Sequence, residues 1–221
     1  MRKLAILAAA SLAATALTTA ANAQETFDAI GDAALIGFGG TVPGTSSTLQ
    51  LTLTGLDSAT GLFTFSYTLT NTSDPATNGS SRVVSFGFED VGVSTTVGDA
   101  SGDLSELLFG ANISGGSNFV DVCVTTNNCS GGGGGGATLS NDAVGSFFLD
   151  YTGSLSSLTL DNFIVRYQST FPNAEGSGIG FPNGNPIPEP ATWAMMLIGF
   201  GATGIAIRRS RRRKDLIAQI A

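Results

Sequence analysis

Two stretches of alternating residues, LQLTLT at residues 49–54 and LFTFSYTLT at residues 62–70, decide the fold class of this chain. Each alternates apolar with polar side chains, which is the pattern of a strand with one buried and one solvated face. The residues between them, GLDSATG at 55–61, are of turn-forming types. The two stretches therefore predict consecutive strands joined by a turn.

Further strands are predicted on both sides of this pair. Enrichment in Thr, Phe and β-branched residues predicts strands at 83–88, 91–97, 118–125, 146–151 and 158–167. The segment Leu104–Phe109 instead suggests a helical turn. Short turns and period-two alternation favour an all-β antiparallel sandwich or jelly roll over residues 24–185. The predicted core residues are Phe63, Phe65, Tyr67, Phe86, Phe88, Phe148, Phe163, Val165 and Tyr167.

The N-terminus has the pattern of an export signal. Arg2 and Lys3 precede an apolar run from Leu4 to Leu17, and residues 21–23 read Ala-Asn-Ala. A basic start, a short apolar run and small residues at the cleavage site define a signal peptide, predicted here at residues 1–23. The alternative is a short N-terminal membrane helix. The signal peptide implies passage through the Sec translocon and cutting by signal peptidase.

The C-terminus carries three elements in a fixed order. The segment PIPEP at 186–190 is stiff and extended, because proline cannot continue a helix. Ala191–Ile207 is uncharged and just long enough to span a bilayer as a single transmembrane helix. A basic stop-transfer cluster follows it, which should stay in the cytoplasm with the tail at 215–221. The cluster contains Arg208, Arg209, Arg211, Arg212 and Arg213.

This C-terminal arrangement resembles the PEP-CTERM sorting signal in its PEP-x-x-W-A form, over residues 186–214. The residues that carry the resemblance are Pro188, Glu189, Pro190, Trp193 and Ala194. It implies that an exosortase, a membrane-embedded enzyme of Gram-negative bacteria, recognises these residues and cuts the tail. The hosts of such proteins typically make exopolysaccharide.

The glycines of the predicted membrane helix match a second pattern. Gly199, Gly201 and Gly204 satisfy the G-x-G-x-x-G motif of dinucleotide-binding proteins. That motif requires a preceding strand and a following amphipathic helix, which a membrane span behind a proline segment does not offer. We interpret these small residues as a surface for close helix packing against the processing enzyme.

The charge of the body excludes several functions. Sixteen acidic and two basic residues, Arg82 and Arg166, lie between Gln24 and Glu189, which leaves a net charge of −14. Such a body repels phosphate backbones, so we predict no nucleic-acid binding. The chain has no histidine and the body has no lysine, so a serine nucleophile lacks its usual bases. We predict no catalytic residue, no metal site and no cofactor.

Two carboxylate-based functions remain formally open. A glycosidase needs two acids at a set distance, which a sequence cannot place, and its cleft usually contains tryptophan. The sole tryptophan, Trp193, lies in the sorting tail. Glu89–Asp90 and Asp99–Asp103 could attract calcium, but neither has EF-hand spacing. Solvated surface acids are the better interpretation.

Cys123 and Cys129 are separated by five residues in the exported segment, where thiols oxidise by default. The sequence therefore predicts a disulfide that acts locally, at the end of a strand. The glycine run at 131–136 is predicted to form a flexible loop, with close packing on a ligand as the alternative. Together with FVDVC at 119–123, this pair and run make the body similar to a small PEP-CTERM family called cistern, which has no assigned activity.

The sequence as a whole predicts an exported, non-enzymatic β protein. Its C-terminal helix anchors it in the inner membrane until an exosortase cuts the tail, and it then belongs to the cell surface or the extracellular exopolysaccharide matrix. The alternative is a carbohydrate- or ice-binding β module on the same tail. That alternative predicts an exposed aromatic platform or a regular threonine array, and the threonines show no repeat along the chain.

Overall fold

The computed structural model describes residues 23–113, 118–131, 134–170 and 176–183. Within them the chain is nearly all antiparallel β and sandwich-like, which confirms the predicted fold class. The elements are β1 (Glu25–Phe27), β2 (Ala33–Gly40), β3 (Ser46–Asp57), β4 (Leu62–Asn71), α1 (Pro75–Asn78), β5 (Arg82–Asp90), β6 (Val97–Gly102), β7 (Glu106–Asn112), β8 (Phe119–Thr125), β9 (Ala137–Thr138), β10 (Ala143–Asp150), β11 (Leu158–Thr170) and β12 (Gly176–Pro182).

Strands β3 and β4 form the predicted pair. They run antiparallel from Ser47 opposite Asn71 to Asp57 opposite Leu62, with a register shift after Leu53. Their apolar positions point into the core and their threonines point outward, as the alternation predicted. The turn ends at Gly61, whose φ of +79° and contact with the Tyr151 carbonyl leave no room for a side chain.

The strands form one sheet that rolls around its core. Their order is β6-β10-β4-β3-β2-β12-β11-β5-β8-β7, while β1 pairs with β11 and β9 pairs with β5. The two ends of this order, β6 and β7, are consecutive in the chain. Gly98 of β6 lies against the side chains of Leu107 and Phe109 on β7. The ends of the sheet therefore meet, and the inner faces of its strands enclose one interior.

Aromatic rings fill that interior. The Phe65 ring stacks on Phe147 with centroids 5.1 Å apart and meets the Phe27 ring edge-on at 5.0 Å. Tyr67 is buried among them, and its hydroxyl accepts from the Leu104 backbone N–H at 2.8 Å. Burial raises the pKa of Tyr67 to about 12, so the phenol remains neutral at physiological pH.

Three details of the predicted body are wrong. In β10 the buried phenylalanine is Phe147, and Phe148 points outward, because the alternation has the opposite phase. Residues 91–96 form a loop in which Gly92 has a φ of +75°, and the strand begins only at Val97. Leu104–Phe109 forms no helical turn, because Glu106–Asn112 pairs with β8 as a strand.

The described residues contain no helix that is long and apolar enough to cross a membrane. The helix that they do contain, α1, begins after Asp74, whose carboxylate accepts from the Ala76 N–H at 3.0 Å. The predicted signal peptide, apart from Ala23, and the predicted C-terminal membrane helix lie outside the described residues.

Candidate functional site

Cys123 and Cys129 form a disulfide in the structure, with an S–S distance of 2.06 Å. Cys123 lies on β8, two residues before the strand ends, and Cys129 lies in the following loop. Both are buried in a small apolar cluster with Ile113, Val120 and Ile164. Because the neighbours of Cys123 on β8 face the aromatic core, this cluster lies on the opposite side of the sheet. The predicted disulfide therefore joins a loop to the outer surface of the sheet.

The loop after Cys123 is attached to the sheet by hydrogen bonds. The Ser85 hydroxyl donates to the Cys129 carbonyl at 3.2 Å, and the Thr125 hydroxyl donates to the Asn128 carbonyl at 3.0 Å. Gly131, with a φ of +96°, lies directly against the Gln168 side chain. The described ends of the glycine run thus pack against the protein itself. Residues 132 and 133 lie outside the described residues.

The two arginines of the body lie on neighbouring strands beside this loop. Arg82 is on β5 and Arg166 is on β11, where Gln168 is the register partner of Arg82. The Arg166 guanidinium donates to the Ser177 hydroxyl at 2.9 Å, and burial lowers its pKa. The sequence offered no sign of this proximity, because 83 residues separate the two arginines.

A buried carboxylate, Asp90, lies at the end of β5. It is 6% exposed and accepts hydrogen bonds from the Tyr151 hydroxyl at 3.0 Å and the Thr95 N–H at 3.2 Å. The Asp121 carboxylate accepts from the Asp90 N–H at 3.3 Å. Burial, and then the neighbouring Asp121, raise the pKa of Asp90 above its ordinary value. Burial also raises the pKa of Tyr151, so this tyrosine acts as a hydrogen-bond donor.

Other carboxylates that the sequence analysis singled out already accept hydrogen bonds from groups of the protein. The Glu89 carboxylate accepts from the Asn162 amide at 2.9 Å, and the Asp103 carboxylate accepts from the Val144 N–H at 2.9 Å. Within the described residues, no group of three or more acidic or cysteine side chains is placed to hold a metal ion.

A shallow groove lies on the outer face of the sheet. Its volume is about 320 Å³, and it crosses β4, β10 and β6. The residues that line it are Leu62, Thr64, Asp99, Ala100, Ser101, Ser146, Phe147 and Phe148. Sequence reasoning missed this groove because it assigned Phe148 to the core. An aromatic ring surrounded by hydroxyls and one carboxylate is a surface that suits a small polar ligand with an apolar face.

The sorting residues predicted from the sequence lie outside the described residues. They are Pro188, Glu189, Pro190, Trp193, Ala194, Gly199, Gly201, Gly204, Arg208, Arg209, Arg211, Arg212 and Arg213.

The described residues form a β-rich fold with a disulfide, and the sequence continues beyond them in a C-terminal segment. Residues 186–213 of that segment match the family model of the PEP-CTERM protein-sorting motif. The chain therefore carries the predicted PEP-CTERM sorting signal, which implies an exported protein processed by an exosortase. Neither the curated proteins nor the solved structures contain a match to the chain. The similarity of the body to the cistern family is not shown by these comparisons.

Proposed function

We propose that this protein is a non-enzymatic cargo that reaches the cell surface or the exopolysaccharide matrix after an exosortase cuts its tail. The sorting motif at residues 186–213 is the observation that carries the proposal. Proteins with this tail are typically non-enzymatic cargo. The signal peptide at 1–23 brings the chain to the Sec translocon, and the C-terminal helix holds it in the inner membrane until the cut.

The chemistry of the tail suits recognition at a membrane surface. Pro188 and Pro190 favour an extended backbone on either side of Glu189, in front of the apolar run, and an extended peptide is the form that a processing enzyme can bind. Trp193 suits the interfacial zone of the bilayer, and the arginines after Ile207 stop transfer on the cytoplasmic side. The exosortase then reads the tripeptide, the tryptophan and the small-residue helix together.

The composition of the body supports a structural role. Its net charge of −14 favours solubility and opposes self-association at low salt. Histidine is absent from the chain and lysine from the body, which removes two of the common general bases and leaves carboxylates. We infer that the exported domain acts by its surface and not by chemistry.

Intact mass and cell fractionation of the protein from its host, with and without the exosortase, test this function. We expect a mature form that starts near Gln24, lacks the segment from Trp193 to Arg213 and weighs two mass units less than its reduced form. Persistence of the complete tail in the inner membrane of normal cells would refute the sorting proposal. The protein would then be a single-span membrane protein with an exported domain.

A carbohydrate- or ice-binding module on the same tail is the second candidate function. The observation that favours it is Phe148, which points out of the sheet into a groove with Thr64, Ser101 and Ser146. A matrix protein that binds the polymer around it satisfies both candidates.

A further inference from the structure

The outer surface of β3, β4, β10 and β6 carries hydroxyl side chains in register. Ser66 of β4 lies between Thr52 of β3 and Ser146 of β10, and Ser146 in turn lies beside Ser101 of β6. We call each such row of side chains across neighbouring strands a rank. Two further ranks pair Thr48 with Thr70 and Gln50 with Thr68. We call this surface the hydroxyl face. Its hydroxyl residues are Thr48, Thr52, Thr64, Ser66, Thr68, Thr70, Ser101 and Ser146.

These hydroxyls are available to a ligand. Ser101 and Ser146 hydrogen-bond to each other at 2.9 Å. In the part of the chain that the structure describes, the hydroxyls of the other six residues have no protein partner. Neighbouring strands are about 4.8 Å apart and alternate residues of one strand are about 6.7 Å apart, so the hydroxyls form a two-dimensional grid.

The part of the hydroxyl face that lies on β3 and β4 is uncharged, although the body carries a net charge of −14. The outward residues of β3 from Thr48 to Thr54, and of β4 from Leu62 to Thr70, include no acidic or basic side chain. Acidic residues occur at one edge, where Asp99 and Asp150 lie. A polyanion would be repelled by the body as a whole and would find no cation on this face. The charge pattern therefore excludes a polyanion, and the uncharged surface of β3 and β4 suits a neutral partner.

Apolar side chains accompany the hydroxyls. On the outer surface, Leu35 is 56% exposed and lies beside Gln50, and Val144 is 50% exposed and lies beside Thr68. Phe148 lies between Thr64 and Asp99 in the groove of about 320 Å³. A pyranose ring has apolar C–H faces and a rim of hydroxyl groups, so it needs both kinds of contact. Partner and surface therefore match in polarity as well as in charge.

We propose that the hydroxyl face binds a neutral polysaccharide, with one sugar ring on Phe148 and the chain lying across the ranks of hydroxyls. This inference deepens the proposed function and rests on it, because export to the cell surface or matrix is what brings the protein to the polysaccharide. Many weak hydrogen bonds spread over several strands favour a long polymer over a single sugar, because each added ring engages another rank.

The test measures co-sedimentation of the full-length protein, purified in detergent, with insoluble forms of cellulose, a β-1,3-glucan and a mannan, and with covalently cross-linked, insoluble alginate as the acidic counterpart. We expect binding to at least one neutral polymer and none to alginate. Ser66→Lys and Thr48→Lys place a charged side chain on different strands of the face, and each should weaken binding at least tenfold. Asn127→Lys adds the same charge on the disulfide loop and should leave binding unchanged.

Each outcome has one meaning. Binding that is lost in both face variants and kept in Asn127→Lys, with unchanged circular dichroism, supports the proposal. Failure of the wild-type protein to bind any of the three neutral polymers overturns it, as does equal binding by all three variants or a preference for alginate. The measurement uses the uncut chain, so it is independent of tail processing. Binding without processing would remove the sorting proposal alone, and processing without binding would remove the polysaccharide proposal alone.

Discussion

Strands β4 and β5 lie in the same sheet but have different surroundings. Along β4 every second residue from Phe63 to Asn71 is buried, and the outer face is partly exposed. Along β5 all residues from Val83 to Phe88 are buried, because the loop that ends in Cys129 and the side chain of Val120 cover the outside. The wall of the sheet around β4 therefore keeps a partly exposed outer surface in the described residues, and the wall around β5 has a second small core.

The aromatic core should dominate stability on both walls. Phe65→Ala removes a ring that contacts Phe27 and Phe147, and we expect a loss of about 3–5 kcal/mol in the free energy of unfolding. Urea unfolding monitored by fluorescence or circular dichroism measures this loss. Phe148→Ala is the matched control, because its ring lies on the outside, and an equal loss there would contradict the assignment of the two rings.

The second core, around Cys123 and Cys129, should contribute less to stability than the aromatic core does. Its contribution should come mainly from the disulfide. Cys123→Ala with Cys129→Ala opens a short loop, so the unfolded chain gains little freedom, and we expect a loss of about 2 kcal/mol. Comparing urea midpoints of the double variant with those of the wild-type protein under oxidising conditions measures it. Reduced wild-type protein should match the double variant; a fully unfolded reduced protein would mean that the disulfide holds both cores.

Asp90 should make the stability of the wall around β5 depend on pH. Its pKa is raised by burial, so the folded chain binds this proton more tightly than the unfolded chain does. The resulting stability is complete below the ordinary aspartate value of 3.8 and is lost as pH rises through the folded pKa. Asp90→Asn keeps an acceptor for Tyr151 and should remove this decrease of stability with rising pH. Urea midpoints measured over a series of pH values test this. Asp57→Asn changes an exposed carboxylate, so the decrease of stability that Asp90 causes should remain.

The smallest effect is expected on the free surface. Ser66→Lys and Asn127→Lys both change outward side chains, so each should shift the free energy of unfolding by no more than about 0.5 kcal/mol. Thermal melts of the two variants test this. A large loss for Ser66→Lys would show that the hydroxyl face is packed against another part of the protein, and its use as a binding surface would have to be abandoned.

The amino-acid sequence by itself determined the local features of this protein. Period-two alternation predicted β3 and β4, the compartment predicted the disulfide between Cys123 and Cys129, and the segment that begins at residue 186 predicted the sorting signal. Each of these depends on residues that are close together in the chain. Their physical cause is local, so a single sequence is enough to recognise them.

Tertiary structure alone decided what depends on pairing between distant strands. The threonines of β3 and β4 show no repeat along the chain, yet strand register aligns them with Ser146 and Ser101 into ranks. The phase of β10, which buries Phe147 and exposes Phe148, likewise follows from its neighbours and not from its own two adjacent rings. Alternation of apolar and polar side chains indicates that a strand has two different faces, but only its packing partners determine which face meets the core.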